Sequence, residues 1–318
     1  MHPALSIVFF TTLSGAGYGL LFTIGLVAPL GIVSPDRWLG LAVMVVGLGL
    51  VIAGLIASTA HLKHPERAWR ALSQWRSSWL SREGVMALLT FIPALVFGAG
   101  WVFCQTVDGI IAVAGFLMAV GALLTVVSTA MIYRSLKTVQ RWHNAWTLPV
   151  YLMLALATGN LFLLAVLAIA GPDMAALPAF KILALIAVLV AGMVKLEAWP
   201  ALDAMAPQSN TGTATGLERF GTVRPLDPAH TTANYVQREM AFSIARKHTQ
   251  KLRQIASLMA FVAPFLLVAL SLALAPVAAA IACLAAASFG YAGVLVERWL
   301  FFAEAVHKVS LYYGADAV

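Results

Sequence analysis

The sequence predicts an all-α fold, a polytopic membrane protein built as a bundle of eight transmembrane helices, and three observations carry that prediction. Of 318 residues, 61% are hydrophobic and only 10% charged, with a mean hydropathy of +0.90. A soluble domain carries about 25% charged residues and could not hide this much apolar surface. Eight apolar stretches reach the roughly 20 residues that a helix needs to cross a hydrocarbon core. Runs of that length exclude barrel strands, and in lipid only helices and closed barrels satisfy their own backbone groups.

In order along the sequence the stretches are 4–33, 39–62, 85–107, 109–133, 148–170, 177–199, 255–275 and 277–303. They run almost end to end, so residues 1–318 read as a single membrane domain, with 200–254 a long basic loop inside it. The opening residues lack a basic segment before the apolar run and are expected to form a first membrane helix, not a cleaved signal. That stretch, at 30 residues, is expected to tilt or to extend past the membrane.

The links alternate between short turns and longer polar loops, and the longer loops hold the positive charge. Residues 63–84, 134–147 and 200–254 and the tail carry 16 of the 20 Lys and Arg residues, whereas the opposite side has two, Arg37 and Lys181. This asymmetry predicts that both termini and the three basic loops face the cytoplasm, in the cell's inner membrane. The net charge of +7 therefore speaks of topology, and nucleic acid is excluded as a partner. Within 63–84, Trp69, Leu72, Trp75 and Trp79 recur at near-helical spacing among Arg67, Arg70 and Arg76, a pattern for a short helix lying in the membrane interface. In the long loop, 209–216 is rich in Gly, Thr and Asn and is expected to be mobile. The basic stretch 238–253 is expected to run into the seventh helix.

Cys104 and Cys283 lie in separate apolar stretches without a neighbouring cysteine, so the protein has no means of holding an iron–sulfur cluster alone. No metal site is expected. Ionisable side chains in membrane helices are costly and are functional candidates. Hairpin tracing puts His61, Arg82 with Glu83, Tyr133 with Arg134, and Glu297 with Arg298 near helix ends on one basic side. A neutral His61 can hydrogen-bond and accept a proton near neutral pH, or it can simply end its helix. Glu297, Phe301 and Glu304 share a helix face with Tyr291 about two turns earlier. That face suits a polar headgroup or a proton relay, and an ion pair of Arg298 with Glu297 or Glu83 locking helices together is the competing reading. Lys195 and Glu197 read as snorkelling residues. Thr11, Thr12, Ser14, Gly15, Gly17, Gly47, Gly49 and Gly54 read as close-packing positions.

The run HLKHPERAWRALSQWRSSWLSREG, after two apolar spans, resembles the DmsC family, the membrane anchors of dimethyl sulfoxide reductase-type molybdoenzymes. Further likeness lies in Tyr133-Arg134-Ser135 with Trp142 and Trp146-Thr147-Leu148-Pro149, and in Glu297-Arg298 with Phe301-Phe302. The resemblance implies an eight-helix anchor in anaerobic electron transport, without haem or iron–sulfur cluster. It implies a quinone or quinol, menaquinone or ubiquinone, bound beside an iron–sulfur electron-transfer subunit that is attached to a molybdopterin catalytic subunit. The family's His-Leu-x-x-Pro motif maps onto His61, Leu62 and Pro65, with Lys63 where a small residue is usual. The expected quinone-binding set is His61, Leu62, Pro65, Arg82, Glu83, Tyr133, Glu297 and Arg298, with no catalytic residue in this protein.

The long loop resembles that of the sulfite-oxidising branch of the family, in which electrons would flow into quinone instead of out of quinol. A small-solute transporter is the rival from another class. It should place ionisable residues near the bilayer midplane, whereas here they cluster at one end.

Overall fold

The computed structural model describes residues 4–60, 62, 64–224, 226–227, 248–313, 315 and 317–318. Among them, eight helices are long and apolar enough to cross a membrane. Numbered in order, they are α1 (Leu5–Val27), α2 (Arg37–Thr59), α3 (Trp79–Cys104), α4 (Gly109–Arg134), α5 (Thr147–Ala170), α6 (Leu177–Asp203), α7 (Thr249–Ser271) and α8 (Pro276–Ala303). No strand forms among the described residues, where the one pairing of this kind is an isolated bridge between Asn210 and Ala317.

Local chemistry sets the helix ends. Asp36 caps α2 by accepting from the Leu39 N–H at 2.8 Å, a contact worth about 1 kcal/mol. Ser78 caps α3 and starts it six residues before the apolar stretch at 85. The long first stretch is resolved by ending α1 at Val27, followed by one 3₁₀ turn, Ala28–Leu30, and a left-handed Gly31 with φ 71°. Helix α7 has a π-helical turn at Leu258–Val262, and Gly293 of α8 packs against its Met259–Ala260 backbone so closely that a Cβ there would overlap it.

Helix α1 lies at the centre, packed against α2, α4, α5 and α8. Its small residues permit this. A Cβ on Gly19 would overlap the Ala155 carbonyl of α5, one on Gly159 would overlap the Gly19 backbone, and one on Gly17 would lie 2.7 Å from the Gly47 carbonyl oxygen of α2. Gly54 approaches the Ser14 backbone in the same way. Without a hydrophobic force between helices in lipid, close contact of this kind is what holds them. Gly49 departs from the expected role: nothing lies near its missing Cβ, because it is two residues from Gly47 and faces away from α1. The outer faces of the other spans carry exposed apolar side chains, among them Ile56, Ile92, Phe116, Leu189, Leu266 and Ile281, as a lipid environment requires.

The loop after α2 forms a 3₁₀ helix, Pro65–Gln74, without a buried residue. Trp69 and Trp75 are exposed, and Arg70 and Arg76 each lie over one of those rings at 5.6 Å. Trp79 belongs to α3. The segment 209–216, expected to be mobile, contains regular structure. Asn210 caps a short helix, Thr211–Thr215, and Ser209 exchanges backbone hydrogen bonds of 2.9 and 2.8 Å with Val318. The basic stretch 238–253 is described only from His248 onwards, and from Thr249 it is helical and continuous with the seventh span.

Four charged side chains fasten the polar ends of three helices. Arg141 donates to Asp203 and Glu304 at 2.6 Å each, and Arg253 donates to Asp203 at 2.6 Å and Glu304 at 2.7 Å. The loop after α4 is thereby joined to the ends of α6 and α8 and the start of α7. Beyond α8, Lys308 N–H donates to the Thr138 carbonyl at 3.0 Å, and His307 Nδ1 accepts from Val309 N–H at 3.0 Å. Partial burial lowers the His307 pKa from its ordinary value.

Substituting Gly159→Leu is expected to reduce the folded yield several-fold, because the branched side chain meets the α1 backbone, while Gly49→Leu leaves it unchanged. Size-exclusion profiles of the two variants in mild detergent compare them directly. Glu304→Gln is expected to lower stability by about 2 kcal/mol through loss of charge-assisted bonds, read as a lower melting temperature whose deficit shrinks at high salt.

Candidate functional site

The candidate residues converge at the end of the bundle where α3 and α7 begin and α4, α6 and α8 finish. Glu83, on the second turn of α3, is 5% exposed, and its Oε1 accepts from the Thr129 hydroxyl of α4. Among the described residues no cation pairs with it. Opposite, Glu297 of α8 is 1% exposed and pairs with Lys195 of α6 and, at 3.5 Å, with Arg298. The Arg298 guanidinium lies 3.8 Å from the Tyr151 ring centre and 5.1 Å from that of Phe301. Two cations thus flank one carboxylate in an apolar interior, where an unmatched charge is very costly.

Tyr133, at the end of α4, is the hub of an aromatic cluster. It stacks on Tyr151 with centroids 5.7 Å apart and meets Trp142, Phe301 and Phe302 edge-on at 5.3 to 5.6 Å. Trp142 Nε1 donates to the Phe301 carbonyl at 3.0 Å. The loop after α4 is therefore folded into the bundle end by Trp142 as well as by Arg141.

The other members of the expected set lie differently. Arg82 points away from Glu83: its Nε donates to the Trp75 carbonyl at 3.0 Å, its Nη2 to the Arg76 carbonyl at 2.7 Å, and it covers the Trp79 ring at 4.3 Å. Its place is the foot of the interfacial loop. Leu62 and Pro65 are exposed just beyond α2. His61 lies outside the described residues.

Lys195 corrects the snorkelling expectation. It is 4% exposed and directed inward to Glu297, with Nζ 4.9 Å from the Trp199 ring centre, whereas Glu197 is exposed. A lysine two turns before the end of a 27-residue apolar helix was the available sign, since α6 buries the face that holds Ala191, Lys195 and Ala198. Tyr151, Thr129 and Tyr18 were not anticipated, because an isolated hydroxyl in a membrane helix gives no periodic signal. Glu304, placed with Glu297 on one face, belongs to the peripheral ion cluster, and Tyr291 lies 3.3 Å from the Thr12 hydroxyl.

A narrow cavity of about 20 Å³ lies between α1, α4, α5 and α8 beside these groups. That is room for a water or two and not for an aromatic ring. Among the described residues no cluster of three His, Cys, Asp or Glu side chains is arranged to hold a metal ion.

The geometry is that of a membrane bundle with a buried charge array at its basic end, and similarity to known proteins agrees with it. The family model described as "DMSO reductase anchor subunit (DmsC)" matches residues 1–314. The protein is 33% identical to the C subunit of the sulfite dehydrogenase of Allochromatium vinosum over 337 aligned positions, covering the full length of both. It is 32% identical to the C component of the anaerobic dimethyl sulfoxide reductase of Escherichia coli K12 over 149 positions, 45% of this protein and 50% of that one. No solved structure matches. With nearly the whole sequence matched by the family model and eight helices able to span a bilayer, this protein belongs to the DmsC family of membrane anchor subunits of molybdoenzyme complexes.

Proposed function

We propose that this protein exchanges electrons and protons between the membrane quinone pool and a docked iron–sulfur subunit, which in turn serves a molybdopterin subunit. The observation that carries the proposal is the buried Glu83 carboxyl, held by Thr129 and without a cation partner among the described residues. A carboxyl placed inside a membrane helix without a countercharge is suited to gain and lose a proton. Quinone, when bound, supplies a two-electron, two-proton acceptor. The 20 Å³ cavity is smaller than its ring, which supports a headgroup site nearer the end of α2 and the start of α3, where Leu62 and Pro65 are exposed.

In this reading His61 hydrogen-bonds the headgroup, and Glu83 holds or delivers a proton. Glu297 is already matched by Lys195 and Arg298, which favours Glu83 over Glu297 for that task. Arg298, buried beside Glu297 and the small cavity, acts on the headgroup only through its field, and Arg82 is engaged with loop carbonyls. Tyr133 and its aromatic neighbours make a rigid wall. The Trp- and Arg-rich loops 63–84 and 134–147 would dock the iron–sulfur subunit, both residue types being common at interface hot spots. In this reading the positive loops and both termini face the cytoplasm, which the positive-inside rule supports. Because the similarity to the sulfite dehydrogenase component extends over the full length of both proteins, electron flow from sulfite into quinone is the favoured direction.

Purification of the tagged protein from its host in mild detergent is expected to bring down stoichiometric iron–sulfur and molybdenum subunits. Mass spectrometry and metal analysis test this, and sulfite and dimethyl sulfoxide are then assayed on the same sample. Recovery of the protein alone and metal-free, under conditions that keep other membrane complexes whole, would overturn the reading. His61→Ala is expected to lower quinone-linked turnover at least tenfold with the complex still assembled, and equal loss of assembled complex would make His61 structural.

A further inference from the structure

The cavity between α1, α4, α5 and α8 is lined by groups with unmet hydrogen-bonding capacity. Among the described residues the buried Tyr18 and Tyr151 hydroxyls and Nε and Nη1 of Arg298 have no partner of good hydrogen-bonding geometry, although Tyr18 lies beside Thr125 and Tyr151 beside Arg298, and all three residues line the cavity. They are 3%, 4% and 2% exposed. Around them, Thr12, Ser14 and Thr158 donate to carbonyls of their own helices at 2.6 to 2.9 Å, so each hydroxyl oxygen can still accept, Thr12 with one lone pair facing Tyr291. Thr129, which donates to Glu83, is also in the lining. Unpaired donors facing unfilled acceptors across a space of water size is the condition under which internal water is bound.

We propose that this cavity is an internal water site directly behind Glu83, holding an exchangeable proton between the Glu83–Thr129 pair and the Tyr151–Arg298 pair. The water accepts hydrogen bonds from Arg298 and Tyr151 and donates to the threonine and serine oxygens. Along these bonds a proton moves from the Tyr151 hydroxyl to the water, from the water to the Thr129 oxygen and from Thr129 to the Glu83 carboxylate, leaving a tyrosinate beside the Arg298 cation; the reverse shift takes the proton from Glu83 again, and the water and Thr129 are unchanged. Arg298 stays charged and orients the water. The relay role rests on the quinone reading of Glu83, whereas the hydration itself does not.

Radiolytic hydroxyl-radical labelling in ¹⁸O water, followed by mass spectrometry of the intact native complex in detergent, detects bound water beside buried side chains. Tyr18 and Tyr151 are expected to take up label, whereas Trp101, fully buried with its indole N–H also unpaired among the described residues but outside this lining, stays at background. Gly15→Ala puts a methyl group into the lining with only the Ala155 Cβ nearby, at 3.7 Å, and is expected to reduce tyrosine labelling at least threefold without changing that of Trp101. Should Gly15→Ala fail to fold, Thr158→Val removes one acceptor at constant volume and is read in the same way. Background labelling of both tyrosines in the native protein would overturn the proposal.

In the same variant, quinone-linked turnover is expected to fall at least threefold with unchanged KM and a larger solvent deuterium effect. Unchanged turnover with labelling lost would overturn the relay. If His61→Ala leaves turnover intact, the quinone reading falls while the labelling result still decides the hydration.

Discussion

The arrangement depends on how closely α1 can approach its neighbours. Glycine at positions 17, 19 and 159 brings backbone against backbone where any side chain would intrude, and this puts α1 at the centre of the bundle with α2, α4, α5 and α8 around it. Lipid tails are as apolar as leucine, so burial of hydrophobic surface gives little reason for helices to associate; dispersion and close fit must supply it. The same placement explains the polar lining of the central space. Thr11, Thr12, Ser14 and Tyr18 ride on the innermost helix, and the hydroxyls of the three short side chains bond back to carbonyls of their own helix, which lets polar residues occupy an apolar interior.

Charge is handled differently from hydroxyls. Lys195, Glu297 and Arg298 are all below 5% exposure, and the two cations share the one carboxylate across α6 and α8, so loss of Glu297 would leave both without a countercharge in a medium that solvates them poorly. Glu83 stands apart from this balance. Its bond is to a neutral hydroxyl, and a neutral carboxylic acid is therefore tolerated there as readily as a paired carboxylate is at Glu297. The two acids, alike in type and in burial, differ in their surroundings: one is paired with two cations across helices, the other is held by a neutral hydroxyl.

A second set of ion pairs, among Arg141, Asp203, Arg253 and Glu304, lies at the polar rim and joins segments distant in sequence. Together with Trp142 and the tail, it closes the basic end of the bundle around the aromatic cluster at Tyr133. The exposed Trp69 and Trp75, paired with arginines, remain on the outside of that end. A rigid interior and an outward aromatic and cationic loop are what a protein needs if it is to sit in lipid and hold a soluble partner.

Hydropathy alone determined the eight spans, their order and the basic side, since in lipid every backbone group must be satisfied within its own helix and the length of the apolar run follows directly. It also marked Glu83, Glu297 and Arg298, because an ionisable residue in a span is conspicuous. The motif around His61 and the Trp-rich loop pointed to the family before any contact was known. Only the tertiary structure decided which charges meet. Lys195 reads in sequence as a residue reaching for the interface, and whether it points out or in depends on the rotation of α6, which its packing against α5 and α7 sets. The contact of 209–216 with the C-terminal residues, the turning of Arg82 away from Glu83 and the polar space behind α1 are likewise products of packing. The contact of Ser209 with Val318 and the polar space arise where segments remote in sequence come together, and Arg82 turns to the irregular loop just before it; no local periodicity encodes either.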